Sequence, residues 1–507
     1  MKNAEIIYNK NFTIGEVDRR MYGSFVEHLG RCVYNGIYQP GHPAADQLGF
    51  RNDVKELIKE LGVTAIRYPG GNFVSGYDWK DGIGPRENRP VRKEMAWNVL
   101  ETNEVGTDEF ARFAEECGTE VLMAVNLGTG TPKEAAELVD YCNTDKGTYW
   151  SDLRRTNGTE KPHDFKVWCL GNEMDGEWQI NMLKAGEYAR KAKETAKMMK
   201  WMDPTAELIA CGTCTNEVGH SSYGDWDLTV LEETYDYIDY LSLHRYFNYD
   251  PNKQLFYPMY DDESDIPFFF RDLQDYLNTI ISACDFVKGK KRSDKTIHIS
   301  FDEWGVITEA GAVPGGVSQE FGFANFRQLD AVIYGGLLCT FLNHSDRVKI
   351  ACQSLLVNEG GMITTDPFGK AIRQATFYPF RDAAAYGKGI TLKGIASMPS
   401  AVTNHHGEQE TVTAACVYNE EKKEITVFAT NCEMQEDVSL NLCFEQFGEL
   451  KGIEWRELYD DDPYAKNTFA EEFRVVPITK ELPNTHEGRI TLNLKKHSWN
   501  VLRFKVN

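Results

Sequence analysis

The chain has 507 residues, 42% of them hydrophobic: too long for one ordinary core, and apolar enough to pack as a globular protein. A net charge of −22, from 55 Lys and Arg against 77 Asp and Glu, argues against nucleic acid or an anionic membrane as a partner. No apolar run is long enough to span a bilayer, and Met1-Lys2-Asn3-Ala4-Glu5 leads into no signal-peptide core, so a cytoplasmic protein is expected. The 12 cysteines then read as free thiols of a reducing compartment, several of them inside apolar runs where Cys packs as a small hydrophobe.

In chain order, "AEIIYN" (4–9) reads as a strand ahead of the main domain. From about residue 20 to 382, short apolar runs alternate with amphipathic stretches. The expected strands are Met21–Glu27, Val63–Tyr68, Glu120–Asn126, Phe165–Leu170, Glu207–Cys211, Tyr237–Leu243, Thr296–Phe301 and Arg347–Cys352. Between them, 53–62 places Val54, Leu57, Ile58 and Leu61 on one helical face. The segment 132–142 opens with Pro132 at a first helical position, 185–202 stops before Asp203-Pro204, and 270–292 ends in a basic cluster suited to a helix C-terminus.

Eight such units predict a (β/α)8 barrel. A doubly wound sheet would need a Gly-rich phosphate loop after its first strand, and Glu27-His28-Leu29-Gly30 is not one. After about residue 385, "TVTAACVYNE", "EITVFATN", "DVSLNLCF" and "GRITLNL" alternate with period two and predict an all-β sandwich. The expected organisation is therefore 1–17, an N-terminal strand joining the sandwich; 18–382, the barrel; and 383–507, the sandwich.

Barrel chemistry sits at the C-terminal ends of the strands. Those ends carry Glu27, Arg67, Asn72, Asn126, Asn172, Glu173, His244, Tyr246, Glu303 and Trp304. Any one of them suits a polar turn. Several carboxylates converging on one mouth are harder to explain that way, because like charges repel. Carboxylates on the fourth and seventh strands face each other across such a mouth, which suits acetal hydrolysis: one donates a proton to the leaving oxygen while the other attacks the anomeric carbon. A separation of about 5–5.5 Å would predict retention of configuration.

Other motifs carry less. Cys211-Gly212-Thr213-Cys214 has redox or zinc spacing, with no second such pair and no His pair to complete four ligands. His405-His406 falls in a polar turn of the C-terminal domain, and "GAVPGG" (311–316) precedes no Lys-Ser/Thr and is no phosphate cradle. Neither a metal nor an organic cofactor is expected.

The segments "MYGSFVEHLGRCVYNGIY" (21–38), "RYPGGNFVSGY" (67–77), "ETNEVG" (101–106), "AVNLGTG" (124–130), "GNEMDG" (171–176), "SLHRY" (242–246), "SFDEWG" (300–305) and the terminal "LKKHSWNVLR" together resemble the α-L-arabinofuranosidases of glycoside hydrolase family 51, in order and over nearly the whole chain. The resemblance implies a barrel plus a jelly-roll-like sandwich, a retaining metal-free mechanism, arabino- or arabinoxylo-oligosaccharide substrates and a homo-oligomer, usually a hexamer. It makes Glu173 the acid/base and Glu303 the nucleophile. Asn172 would hold the 2-hydroxyl, and Glu27, Arg67 and Asn72 would shape the sugar subsite. His244 and Tyr246 would orient nucleophile and ring, with Trp97, Trp178 and Trp304 as walls.

The sequence departs from the family at Gly305, often Asn, and in the small-residue loop 306–322. After the eighth strand Leu355 takes a place commonly held by a sugar-contacting Gln, leaving Gln353, two residues earlier, as the inward-facing candidate. These departures leave open another glycoside, such as a galactofuranoside, a β-glucan or a β-xylan. A catalytically silent sugar-binding barrel is a further alternative, disfavoured by the retained pair of acids.

Overall fold

The computed structural model describes residues 2–217, 220, 222–249, 262–307 and 325–507. Its first element is the long strand β1 (Lys2–Glu16). Eight parallel strands follow: β2 (Gly23–Phe25), β3 (Ala65–Tyr68), β4 (Glu120–Val125), β5 (Val167–Leu170), β6 (Glu207–Cys211), β7 (Tyr240–Phe247), β8 (His298–Val306) and β9 (Val348–Gln353). They pair in chain order, and β9 returns to β2 to close the barrel. Both "GAVPGG" and most of the 306–322 loop lie outside the described residues.

The helices start and stop for local reasons. Asn52–Leu61 buries Val54, Leu57, Ile58 and Leu61 and ends on Gly62 at φ 79°, a left-handed position that favours glycine. Pro132–Asn143 starts with a capping box, in which Thr131 and Glu134 each satisfy the other's backbone N–H. Ala185–Met202 stops before Asp203-Pro204. The long helix Ile266–Lys291 closes on Lys288, Lys290 and Lys291, which complement its terminal carbonyls.

Two strands differ instructively from expectation. β7 and β8 were expected to end at Leu243 and Phe301, yet they run on to Phe247 and Val306. The polar residues taken as loop are paired instead, with Glu303 opposite His244 and Gly305 opposite Tyr246. Between Ser300, which faces Ser242, and Glu303, β8 carries one residue more than β7. The same slip occurs against β9, where Phe301 faces Ala351 and Trp304 faces Gln353. Such a bulge re-aims every side chain beyond it. The first strand is shorter than expected, because Met21 and Tyr22 belong to a 3-10 turn capped by Asp18.

The barrel interior is filled by Ala65, Leu122, Ala124, Val167, Cys169, Ile209, Ile350 and Cys352. The helix Gln328–Leu342 is buried along its whole length, between the barrel and the C-terminal sheet. A Cβ added at its Gly335 would lie 2.3 Å from the Trp499 ring, and one at Gly336 2.2 Å from Phe270. Glycine at both positions lets the sheet and the neighbouring helix approach the backbone.

The C-terminal domain adds β10 (Ile390–Ser397), β11 (Val412–Asn419), β12 (Glu424–Asn431), β13 (Val438–Glu445), β14 (Leu450–Leu458), β15 (Ile478–Lys480), β16 (Arg489–Leu494) and β17 (Ser498–Val506). They are hydrogen-bonded as one continuous sheet in the order β15-β14-β17-β12-β11-β10-β1-β13-β16. One apolar core joins its two ends, with Leu450 and Trp455 in the same cluster as Val438 and Leu492. β1 lies between β10 and β13, so the N-terminus is stapled into this domain as expected. Among the described residues no helix is long and apolar enough to cross a membrane.

Candidate active site

Above the apolar interior the barrel turns polar. Side chains two residues apart on a strand share a face, so Arg67 stands over Ala65, His244 over Ser242, and Asp302 over Ser300. All of these polar side chains are buried. Arg67 is the hub. Its Nη1 donates to Glu303 Oε1 at 2.6 Å, its Nη2 to Asn172 Oδ1 at 2.6 Å, and its Nε lies 3.4 Å from Asp302 Oδ2. Its guanidinium also lies over the Phe25 ring, 4.8 Å from the centroid. The other oxygen of Glu303 accepts from the Tyr246 hydroxyl at 2.7 Å, and that hydroxyl is 2.7 Å from Ser354 Oγ.

Glu173 ends the apolar run of β5 at φ 43°, a left-handed conformation that a non-glycine residue holds at a cost and that turns its carboxyl over the mouth. Trp178 Nε1 donates to its Oε2 at 2.6 Å, and His244 Nδ1 lies 2.8 Å from its Oε1. The same Nδ1 is 3.6 Å from Glu303 Oε2, while His244 Nε2 is 3.2 Å from Asp302 Oδ1. Glu173, His244 and Glu303 present ligand atoms within 4.8 Å of one another.

Burial, and then the neighbouring Glu303 charge, raise the carboxyl of Glu173 above its ordinary range against the hydrogen bond from His244. Burial opposes the charge on His244, but Glu303, Asp302 and Glu173 outweigh it and push the imidazole up to about 10. Burial also opposes the charge on Asp302, which is nonetheless held below the usual carboxylate range by Arg67 and His244. Glu27 accepts from the Phe73 N–H at 2.9 Å and from Trp97 Nε1 at 3.0 Å; burial, with Glu303 adding, raises it to about 8. Backbone closes the floor, since a Cβ on Gly71 would meet Glu303 Oε1 at 3.1 Å, Glu27 Oε2 at 3.2 Å and Asn172 Nδ2 at 3.4 Å.

Two buried acids with oxygens this close on either side of one imidazole can supply a proton donor and a nucleophile to an acetal. Comparison with known proteins agrees. Residues 57–265 match the model of the α-L-arabinofuranosidase 1 domain, and 302–498 that of the α-L-arabinofuranosidase C-terminal domain. An intracellular exo-α-(1→5)-L-arabinofuranosidase of Bacillus subtilis is 46% identical over 100% of this chain and 99% of its own. The chain belongs to the α-L-arabinofuranosidases. An exo-α-(1→6)-L-arabinofuranosidase of Bifidobacterium longum is 39% identical over 100% of this chain and 98% of its own. A solved family 51 α-L-arabinofuranosidase from Bifidobacterium longum superposes with a TM-score of 0.92 at 38% identity, covering 99% of this chain and 100% of that one.

Within this family fold, most of the residues expected from sequence converge. Arg67 hydrogen-bonds Asn172 and Glu303, and Glu303 also bonds Tyr246; Glu173 bonds His244 and Trp178, with His244 3.6 Å from Glu303; Glu27, bonded to Trp97, lies beside them across Gly71. Asn72 begins the 3-10 turn Asn72–Gly76 beside it.

Trp304 and Gln353 are not brought to the mouth. The bulge in β8 sends Trp304 outward onto Tyr334 and Phe341, at 5.1 and 5.4 Å between centroids. Gln353 follows simple alternation after the inward Cys352: it is fully buried on the outer face, and its amide donates to the Tyr334 hydroxyl and the Gly360 carbonyl, both at 2.9 Å. The inward residue is Ser354, which is not among the residues expected from sequence, although counting two from Cys352 finds it. Asp302 and Gln179 were also missed. Asp302 sits beside Glu303 in "SFDEWG", and Gln179 Oε1 is 3.3 Å from Asn172 Nδ2. Gly305 is still inside β8, and Leu355 is buried. Asn126 braces its own loop through the Tyr77 carbonyl and Thr129.

Proposed function

We propose that the protein is an exo-acting α-L-arabinofuranosidase that releases terminal arabinofuranose from arabino- and arabinoxylo-oligosaccharides with retention. The observation that carries this reading is the Glu173–His244–Glu303 group, whose facing oxygens lie within 4.8 Å, inside the spacing of about 5–5.5 Å for double displacement and well short of the ~6.5–9.5 Å that leaves room for a directly attacking water.

In the first step a Glu303 oxygen bonds to the anomeric carbon while the glycosidic C–O bond breaks. The Glu173 proton passes to the departing oxygen, leaving a glycosyl ester on Glu303 and a carboxylate on Glu173. In the second step Glu173 takes a proton from water, whose oxygen attacks the anomeric carbon and expels Glu303. Arg67 and Tyr246 each hold one oxygen of Glu303, which fixes its attack direction. Asn172, oriented by Arg67, is placed for the 2-hydroxyl, where hydrogen bonds strengthen in the transition state. Glu27 and Asn72 bind the sugar, with Trp97 and Trp178 as walls.

Relatives named for (1→5) and for (1→6) linkages both align end to end, so linkage preference rests on the loops around the mouth. Cytoplasmic action on imported oligosaccharides in arabinan breakdown, and assembly as a hexamer, complete the reading. Sedimentation tests the assembly. Hydrolysis of 4-nitrophenyl α-L-arabinofuranoside beside the β-D-galactofuranoside and β-D-xyloside tests the reaction. Turnover of the arabinofuranoside that vanishes in Glu303→Ala is expected. Failure of the wild type on that substrate, with turnover of another, would overturn the sugar assignment and keep the mechanism.

A further inference from the structure

Two residues beyond Glu173, Asp175 meets the loop that follows β6, and the contact is one-sided. Asp175 Oδ2 accepts three hydrogen bonds: from the Cys214 N–H at 3.2 Å, from His220 Nε2 at 2.8 Å and from Ser222 Oγ at 2.9 Å. Asp175 Oδ1, equally removed from water, has no hydrogen-bond partner among the described residues. Native carboxylates buried to this degree are almost always satisfied at both oxygens. His220 Nε2 is in turn 2.8 Å from Ser222 Oγ and 3.7 Å from Cys214 Sγ. A thiol, an imidazole nitrogen and a carboxylate oxygen therefore converge within 4.8 Å of one another. Cys214 and Asp175 are buried, at 5% and 6% exposure, while His220 is half-buried and offers a way in.

We infer that Asp175, Cys214 and His220 form a site for a thiophilic divalent cation of the zinc type, with Ser222 or water as fourth ligand. The donor set is the argument. Sulfur with imidazole selects zinc-like ions over Mg2+ or Ca2+, which take all-oxygen shells. Bonds of about 2.3 Å to sulfur and about 2.0–2.1 Å to nitrogen or oxygen set tetrahedral ligands about 3.3–3.6 Å apart. The observed 3.7 Å from sulfur to nitrogen already matches, and the 2.8 Å from Asp175 to His220 is the hydrogen bond the ion would replace. On binding, a metal–sulfur bond forms and the Cys214 proton leaves to solvent, while His220 coordinates through Nε2 as the neutral tautomer with its proton on Nδ1. The sequence hid the site, because Cys211-Gly212-Thr213-Cys214 lacks a second pair. The missing ligands come from the β5 loop and from six residues downstream. The ion would clamp the loops after β5 and β6, the first of which carries Glu173 and Trp178.

The test uses the full chain stripped with a chelator and titrated with Co2+, then with Zn2+ in competition. The expected result is saturable near-ultraviolet thiolate-to-cobalt charge transfer at a single equivalent, displaced by Zn2+. It should be absent in Cys214→Ser and at least about tenfold weaker in affinity in His220→Asn. The two other clusters that gather potential ligands, Glu173–His244–Glu303 and Asp262–Asp265–His405, contain no sulfur and cannot give this band. Wild type without the band, or a band that survives Cys214→Ser, would overturn the assignment. Should Cys214→Ser fail to fold, an unchanged affinity in His220→Asn would overturn it equally.

Discussion

Replacing Glu27 by Gln should stabilise the protein at alkaline pH while impairing it as an enzyme. Glu27 is 3% exposed, and burial with the nearby Glu303 charge lifts its carboxyl from 4.5 to about 8. Above pH 4.5 the unfolded chain sheds this proton, while the folded protein keeps it until about pH 8. Across that window the unfolded state binds fewer protons, so stability falls as pH rises. A gap of this size sets a ceiling of about 5 kcal/mol at roughly 1.4 kcal/mol per unit. Relaxation and the shared field of the other acids make about 2–3 kcal/mol between pH 5.5 and 9 the working figure.

Glutamine is close to isosteric and does not ionise. Its carbonyl still accepts from Phe73 N–H and Trp97 Nε1, so these two contacts are preserved at both pH values. Urea unfolding followed by tryptophan fluorescence at pH 5.5 and 9 reads the effect. The variant should match wild type near the acid end and exceed it by about 2–3 kcal/mol at pH 9, while arabinofuranoside hydrolysis falls at both. A difference that does not change with pH would refute the reasoning, because a lost or gained packing contact has no reason to track the titration of one carboxyl.

Glu173→Ala should lose about 10²–10⁴ in kcat/KM on oligosaccharides, whose leaving oxygen needs the proton, and much less with 4-nitrophenolate as leaving group; equal losses on both would remove Glu173 from the acid role. Gly71→Ala should abolish activity and cost stability as well. Gly71 sits at φ −85° and ψ −102°, outside the regions open to a residue with a Cβ, and that Cβ would press at 3.1–3.2 Å on Glu303 and Glu27, so near-normal kcat in a folded variant would refute the close-floor geometry.

The barrel was legible because eight apolar runs alternate with amphipathic stretches, several of those runs end in polar residues that together suit one mouth, and no Gly-rich loop follows the first run as a doubly wound sheet would need. The N-terminal strand was legible from its isolation ahead of the βα pattern. What escaped the sequence was facing. Period-two counting holds along β9, where it would have chosen Ser354 over Gln353, and fails along β8, where the extra residue between Ser300 and Glu303 reverses the side on which Trp304 lies. A bulge leaves no signature in composition. It is set by how Asp302 and Glu303 can both serve Arg67, one from below and one from the mouth. The left-handed backbone at Glu173 escaped for a related reason: it is imposed by tertiary contacts from His244 and Trp178, not by local sequence.

The balance of buried charge supports the proposed division of roles between the two acids. Uncompensated charge under this degree of burial is costly. Arg67 and the imidazolium of His244 supply two positive charges. Asp302, held low by Arg67 and His244 against its burial, supplies one negative charge, so a single further carboxylate neutralises the group. Glu303 is the acid that receives both Arg67 Nη1 and the Tyr246 hydroxyl, whereas Glu173 receives no guanidinium and is raised by burial and by Glu303 itself. A neutral group therefore fits the proposal that Glu173 carries the proton. When Glu303 becomes an ester it loses its charge, and in the same step Glu173 gives up its proton and acquires one. The sum over the buried group is unchanged, and the negative charge has only moved across His244, which is 2.8 Å from one carboxylate and 3.6 Å from the other. In the proposed double displacement His244 is the positive pivot between the two acids.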